Sequence, residues 1–289
     1  MITLPNGHSF EYMAASGALG FDGKGWPWER PLEWLNLLDP SHLTIVIKTL
    51  TAEPRVGNLN MWHPWTCVRL LRGGTLNAVG LTNPGIDWWC RTIGPTIKHS
   101  PLSLVGSILG EPRELELMTR KLNQFGALKA LEVNASCPNT KGDILTNTGK
   151  VIEGLLAVRN ATTLPLILKL SVVHDIPTIV RAVERYVDAF SINSVPWSVV
   201  FPSRQSPLTN LGGGAVSGWL VQQYTWPLVE QLKTLTKVPV IGPSVWDYED
   251  IERLRKRGAD AIGFGSIFLS HPTRPTSFIR RDQLERSRN

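Results

Sequence analysis

The chain has 289 residues, of which 42% are hydrophobic and 19% are charged. This composition allows a substantial buried core and argues against intrinsic disorder. The formal net charge is +6, but the basic residues concentrate in two separate groups, at 253–257 and 280–288. We interpret these groups as a solvated helix face and a basic tail, and we predict that the chain binds no nucleic acid.

The three cysteines, Cys67, Cys90 and Cys137, are odd in number and widely spaced. Their spacing matches neither a disulfide framework nor a zinc site, so we predict a reducing compartment and no metal. The N-terminus does not resemble a secretion leader, and no apolar run is long enough to span a membrane. These features predict a soluble, cytoplasmic protein with no membrane association.

Eight short segments are apolar almost throughout, which is typical of parallel strands that are buried on both faces. In chain order, the predicted strands are 10–16, 43–49, 102–108, 130–136, 165–171, 189–194, 238–244 and 261–267.

Segments with helical periodicity lie between most of these strands, at 31–38, 111–125, 150–160, 176–186, 226–235 and 248–258. The alternation predicts an α/β fold, a (β/α)₈ TIM barrel, with residues 1–289 as one domain. A doubly wound open sheet is the structural alternative.

The longest excursion runs from Leu50 to Pro101, between the second and third strands. It contains WHPW (62–65) and a predicted helix at 86–93. On a barrel this segment would form an extended loop or subdomain over the catalytic face, as a lid or a partner surface. Several of the chain's 11 tryptophans lie here; we expect them to pack rather than to form an interface.

Small or polar residues follow every predicted strand, and the carboxyl ends of the strands are where barrel enzymes place their active sites. The residues at these ends are Ser16, Gly17, Lys48, Thr49, Ser107, Asn134, Cys137, Lys169, Asn193, Ser194, Gly242, Gly265 and Ser266.

The residue types at these strand ends exclude some reactions and favour others. The set contains no histidine–acid group for a metal and no carboxylate pair for glycoside hydrolysis. Lys48 and Lys169 could form a Schiff base or support an anionic cofactor and substrate. Amide side chains match the alternating edge of a pyrimidine or an isoalloxazine ring, and glycines after the last two strands let backbone N–H groups approach a phosphate. Flavin mononucleotide (FMN) meets these requirements together.

Several stretches, in this order along the chain, resemble the dihydroorotate dehydrogenase family, in particular its soluble, cysteine-dependent class 1. They span nearly the whole chain, and their combination is specific. The stretches are AASGALGFDG (14–23), IKTLTAEPRVGN (47–58), LNAVGLTNPG (76–85), EVNASCPNTKG (132–142), LKLS (168–171), INS (192–194), GGAVSG (213–218) and GADAIGFGS (258–266).

The resemblance implies oxidation of dihydroorotate to orotate in pyrimidine biosynthesis, with hydride passing from substrate C6 to FMN N5. It implies that Cys137 is the base that removes the C5 proton and that Lys48 is a second catalytic residue. It also implies a homodimer and the possibility of a separate electron-transfer subunit. Two alternatives stay open: an FMN-dependent oxidoreductase of another dihydropyrimidine or cyclic enone, and a non-catalytic barrel homologue.

The resemblance also assigns binding roles. The residues matched to the substrate site are Lys48, Asn77, Gly80, Leu81, Asn134, Asn139, Asn193 and Ser194. Those matched to the FMN site are Ala15, Ser16, Gly17, Lys48, Thr49, Asn77, Ser107, Asn134, Lys169, Ile192, Gly218, Gly242, Ser244, Gly265 and Ser266. Residues 140–149 match a flexible loop that closes over the substrate.

Two departures from the family pattern concern the site. After the seventh strand the chain has Gly242, Pro243 and Ser244, one residue shorter than the usual loop and without its glycine pair. Proline removes a backbone donor, although the Ser244 hydroxyl could supply another. The segment 59–74, which contains WHPW, lengthens a loop beside the substrate.

Overall fold

The chain forms a closed barrel of eight parallel strands, in a computed structural model that describes residues 1–60, 62–135 and 147–288. Numbered along the chain, the barrel strands lie side by side in the order 6-5-4-3-2-1-8-7. Phe190 and Val240 close the barrel between the sixth and seventh strands. The barrel strands are Tyr12–Ala14, Thr44–Val46, Ser103–Ile108, Ala130–Asn134, Leu166–Leu170, Ala189–Ile192, Ile241–Gly242 and Ala261–Phe264.

These strands confirm all eight predicted strands and the predicted (β/α)₈ architecture. Most are shorter than predicted, and the seventh is only two residues long. The longer helices around them are Arg30–Trp34, Ile86–Thr92, Pro112–Leu122, Thr148–Ala161, Ile176–Val183, Gln222–Leu235, Glu249–Lys256 and Arg274–Arg286. Three shorter helices are Gly94–Ile97, Trp197–Val200 and Ile267–Ser270.

The segment that we interpreted as a basic tail is the helix Arg274–Arg286, so that interpretation was wrong. Its buried residues include Thr276 and Asp282 as well as Ile279, and this mixture gives little apolar periodicity. Asp282 accepts two hydrogen bonds from Arg255, each 2.7 Å long, and a third from the Tyr12 hydroxyl. Although burial raises the pKa of Asp282, these donors leave it below its ordinary value. The cluster fixes the last helix to the first barrel strand.

A two-stranded N-terminal hairpin, Ile2–Thr3 and Ser9–Phe10, closes the amino-terminal end of the barrel. Ile2 and Phe10 are buried against inward-facing barrel residues such as Val105. Apolar packing therefore seals this end, and the opposite end is left for the site.

A four-stranded antiparallel sheet covers part of the carboxyl-terminal end. Its strands, in spatial order, are Val195–Pro196, Ala215–Gly218, Gly74–Asn77 and Val68–Leu71. Two of them belong to the excursion between the second and third barrel strands, which confirms the predicted subdomain at this end of the barrel. Among the described residues, no helix has the length and apolar character needed to cross a membrane.

Candidate active site

A cavity of about 300 Å³ lies between the carboxyl ends of the barrel strands and the antiparallel sheet. This volume is in the range of small-molecule sites, roughly 300–1,000 Å³. It brings together most of the predicted site residues. Those that line it are Ala15, Ser16, Gly17, Lys48, Thr49, Asn77, Gly80, Leu81, Asn134, Lys169, Ile192, Asn193, Ser194, Gly218, Ser244, Gly265 and Ser266.

Four predicted site residues are not among these. Cys137 and Asn139 lie outside the described residues, as do residues 140–146 of the predicted closing loop. Ser107 is fully buried beneath the cavity, where its hydroxyl lies 2.9 Å from the Thr49 hydroxyl. Gly242 faces the outside of the barrel, because a Cβ there would meet Ala259 at 2.8 Å. Neither Ser107 nor Gly242 lines the cavity directly, and their predicted contacts with FMN stay predictions.

A buried ion pair lies at the floor of the cavity. The Lys169 ammonium is 3.2 Å from a carboxylate oxygen of Glu132, and their side chains are 7% and 0% exposed. Glu132 was missed from the sequence because we examined strand ends, whereas it lies inside the fourth strand. One signal was present: it is the only charged residue in the apolar segment 130–136.

Hydroxyl and amide groups extend this polar floor around the barrel. The Asn134 amide donates to the Thr49 hydroxyl at 3.0 Å, and the Ser16 hydroxyl lies 2.8 Å from the same oxygen. Asn134 ends the fourth strand, and Thr49 and Ser16 follow the second and first strands, so the floor joins side chains that are far apart in sequence.

The loop after the seventh strand has an unusual backbone. Ser244 has φ +67°, a left-handed conformation that favours glycine. Side chains of the helix Gln222–Leu235 support it: Trp226 donates to the Pro243 carbonyl at 3.1 Å and Gln222 to the Ser244 carbonyl at 3.0 Å. The Thr225 and Ser244 hydroxyls are 3.1 Å apart.

These contacts orient two backbone N–H groups. In a trans peptide the C=O and the following N–H point in opposite directions, and none of the described peptide bonds is cis. Because the carbonyls of Pro243 and Ser244 point to the helix, the N–H groups of Ser244 and Val245 point away from it. Both residues line the cavity, so this loop presents two donors of the kind that bind phosphate.

An aromatic wall closes one side of the cavity. Trp26 and Trp28 are stacked with ring centres 5.5 Å apart, and the Trp26 indole donates to the Gly17 carbonyl at 3.1 Å. The Trp26 backbone N–H donates to the carboxyl of Glu29 at 2.8 Å. Burial raises the pKa of Glu29 to about 7. We had no prediction for Glu29, since nothing in its local sequence indicates burial.

The sequence model of dihydroorotate dehydrogenase matches residues 13–268, most of the chain and nearly every residue around the cavity. This chain belongs to the dihydroorotate dehydrogenase family. The predicted family and its class 1 type are confirmed.

Three relatives are dihydroorotate dehydrogenase B (NAD(+)) catalytic subunits, and each match covers 90% of this chain. The subunit from Desulforudis audaxviator is 33% identical over 83% of its length, and that from Carboxydothermus hydrogenoformans is 32% identical over 83%. The subunit from Listeria monocytogenes is 29% identical over 84%.

Among solved structures, a tryptophan synthase complex from Pyrococcus furiosus matches with a TM-score of 0.51 at 11% identity, covering 97% of both chains. A mutant tryptophan synthase α-subunit from the same organism gives 0.52 at 11%, again over 97% of both chains. At this identity the likeness shows the barrel fold alone.

The segment 59–74, predicted to be longer than in the family, borders the site. Pro64 and Val68 line the cavity, whereas Trp62 and Trp65 are 85% and 60% exposed. The predicted packing of tryptophans in the excursion is correct for Trp89, which is fully buried, and wrong for Trp62 and Trp65.

Within the described ranges, no group of three histidine, cysteine or acidic side chains could hold a metal.

Proposed function

We propose that this chain oxidises dihydroorotate to orotate with FMN as its bound cofactor. The observation that carries the proposal is the convergence of two lysines and three amides, from distant parts of the sequence, on one cavity. These residues are Lys48, Lys169, Asn77, Asn134 and Asn193.

The cavity fits FMN at both ends. One end has the N–H groups of Ser244 and Val245 with the backbone of Gly265, a set suited to a phosphate. The other end has amides and a buried lysine, which suit the polar edge of a flavin ring. Bound FMN would accept the hydride from C6 of the substrate.

The protein's own residues would bind the substrate and hold charge. The amides of Asn77, Asn134 and Asn193 present donors and acceptors to a pyrimidine ring. Lys48 lines the same cavity and would attract the substrate carboxylate. Lys169 would hold a positive charge beside the flavin, where electron density increases on reduction.

Cys137 is the proposed base for the C5 proton. The assignment rests on the NASCPN stretch, and the residue lies outside the described part of the chain. A proton next to a carbonyl is weakly acidic, so its base must work near ambient pH. A thiol does so when positive surroundings favour the thiolate, and Lys48 places a positive side chain on the cavity wall.

The visible spectrum of the purified, FMN-loaded protein tests the reaction. We expect the flavin band to bleach after anaerobic addition of dihydroorotate. A band that stays oxidised would refute dihydroorotate as the substrate and favour another dihydropyrimidine or cyclic enone. If the protein binds no FMN even after reconstitution, the result would favour the alternative that this chain is a non-catalytic barrel homologue.

The base is tested with Cys137→Ala, which should retain FMN and slow its reduction by roughly 10²-fold or more. The matched control is Cys90→Ala, a half-buried thiol on the helix Ile86–Thr92, which should reduce at the wild-type rate. Undiminished reduction in Cys137→Ala would remove Cys137 from the mechanism.

A separate electron-transfer subunit is proposed because the relatives are catalytic subunits of an NAD(+)-linked enzyme. The chain alone should then reduce a dye with dihydroorotate but not NAD⁺. Reduction of NAD⁺ by the isolated chain would contradict this proposal.

We also propose that the chain forms a homodimer. Light scattering would refute this by giving only the monomer mass of 32.1 kDa.

We propose a cytoplasmic location from the free thiols Cys67 and Cys90. Cell fractionation would check it.

A further inference from the structure

Glu132 is a buried carboxylate for which the proposed reaction has no role. Its side chain is 0% exposed and lines the floor of the cavity. Three groups approach it: the Ser107 hydroxyl at 3.0 Å, the Ser191 hydroxyl at 3.2 Å and the Lys169 ammonium at 3.2 Å. They come from the third, sixth and fifth strands, so the carboxylate joins three neighbouring parts of the barrel.

The donors around Glu132 offset the cost of burying a carboxylate. A buried charge is costly unless it is paired and hydrogen-bonded, and here one cation and two hydroxyl donors satisfy both oxygens. The pair also limits the charge of the site, because the positive Lys169 is offset by a negative group 3.2 Å away.

An ionised Glu132 determines the direction of the hydrogen bonds beside it. A carboxylate can only accept, so Ser107 must donate its single proton to Glu132. The Ser107 oxygen then accepts from Thr49, 2.9 Å away, which uses the only hydroxyl proton of Thr49 and requires the Ser16 hydroxyl, 2.8 Å from the Thr49 oxygen, to donate to it. Thr49 can therefore only accept from Asn134, and the group of Asn134 that lies 3.0 Å from it must be the NH₂.

We propose that Glu132 is a positioning residue of the FMN site: it offsets the charge of Lys169 and, through Ser107 and Thr49, fixes which end of the Asn134 amide faces the cavity. This inference rests on the proposed FMN-dependent function. A negative charge on the floor makes addition of electrons to a bound flavin less favourable, so Glu132 lowers the flavin's reduction potential.

The first test is the midpoint potential of FMN bound to Glu132→Gln, measured by dye-linked reductive titration. The variant keeps the shape of the side chain and loses its charge, so the potential should become more positive than in the wild type. The control is Ser191→Ala, which removes one donor and keeps the charge, and its potential should stay at the wild-type value. An unchanged potential in Glu132→Gln, or an equal shift in both variants, would overturn the role of the charge.

The second test uses Ser107→Ala, which keeps both members of the ion pair and remains informative if Glu132→Gln does not fold. Without the Ser107 acceptor the Thr49 hydroxyl is free to donate and no longer favours one orientation of the Asn134 amide, so orotate should bind about tenfold more weakly, the loss expected for one hydrogen bond. The FMN potential should not change. Wild-type orotate affinity, followed by the perturbation of the flavin spectrum, would refute the orienting role.

The two proposals fail in different ways. A wild-type protein that binds no FMN would overturn the proposed function, and this inference with it. A wild-type protein that binds FMN and is reduced by dihydroorotate, together with variants that behave like it, would overturn only the role of Glu132.

Discussion

The aromatic wall makes the stability of this protein depend on pH through Glu29. The residue is 2% exposed, and no lysine or arginine of the described residues forms an ion pair with it, since Arg30 pairs with Asp22 instead. Burial raises the pKa of Glu29 from 4.5 to about 7. The folded state therefore binds this proton more tightly than the unfolded chain does.

The sign and size of the effect follow from this difference. The contribution of Glu29 to stability is fully present below pH 4.5 and decreases as the pH rises towards 7, above which the full penalty applies. Because one pKa unit corresponds to about 1.36 kcal/mol, the rise from 4.5 to about 7 corresponds to a loss of up to about 3 kcal/mol. Glu29→Gln cannot ionise and should escape this loss.

The assay is urea denaturation of the wild type and Glu29→Gln between pH 4.5 and 8. We expect similar free energies of unfolding at the acidic end and a more stable variant at pH 8, by up to about 3 kcal/mol. Glu252→Gln is the control: its carboxylate is 72% exposed, and it should follow the wild type at every pH. If the Glu29→Gln curve ran parallel to that of the wild type, Glu29 would not be a buried neutral acid and the reasoning would be wrong.

Three further substitutions test other parts of the structure. Gly218→Ala places a Cβ 2.8 Å from the Gly73 carbonyl oxygen at φ +95°, so it should lower the free energy of unfolding by roughly 3 kcal/mol and weaken FMN binding; wild-type values in urea and fluorescence titrations would contradict this. Arg255→Leu leaves the buried Asp282 without its main partner and should cost about 2–3 kcal/mol, and an unchanged melting temperature would argue against the anchor. In Ser244→Gly the relief of a left-handed φ and the loss of a hydroxyl contact should offset each other within about 1 kcal/mol, with FMN affinity retained; a large loss of affinity would show that the hydroxyl itself binds FMN.

The barrel and most of the cavity could be predicted because their signals are local. A strand buried on both faces is a continuous apolar run, and the barrel topology brings the ends of such runs to one rim. Lys48, Asn134 and Lys169 stand at those ends, so their convergence follows from the order of the strands alone.

The remaining features depend on contacts between residues far apart in the sequence. The burial of Glu29 and the partners of Glu132 are set by how separate strands and turns pack. The helix Arg274–Arg286 was missed because its buried face includes Asp282, whose burial is tolerated only beside Arg255. Glu132 and Asp282 are each stabilised by partners from other elements, which the local sequence does not contain.

The backbone donors of Ser244 and Val245 have a consequence for how such sites are detected. The direction of their N–H groups is set by Gln222 and Trp226, which lie on another element and bind the carbonyls from behind. In this chain the loop therefore presents two backbone donors without a pair of glycines. A sequence search for glycines in the loop alone would miss this site, whereas a search that also includes the first turns of the preceding helix, Gln222–Leu235, would find it.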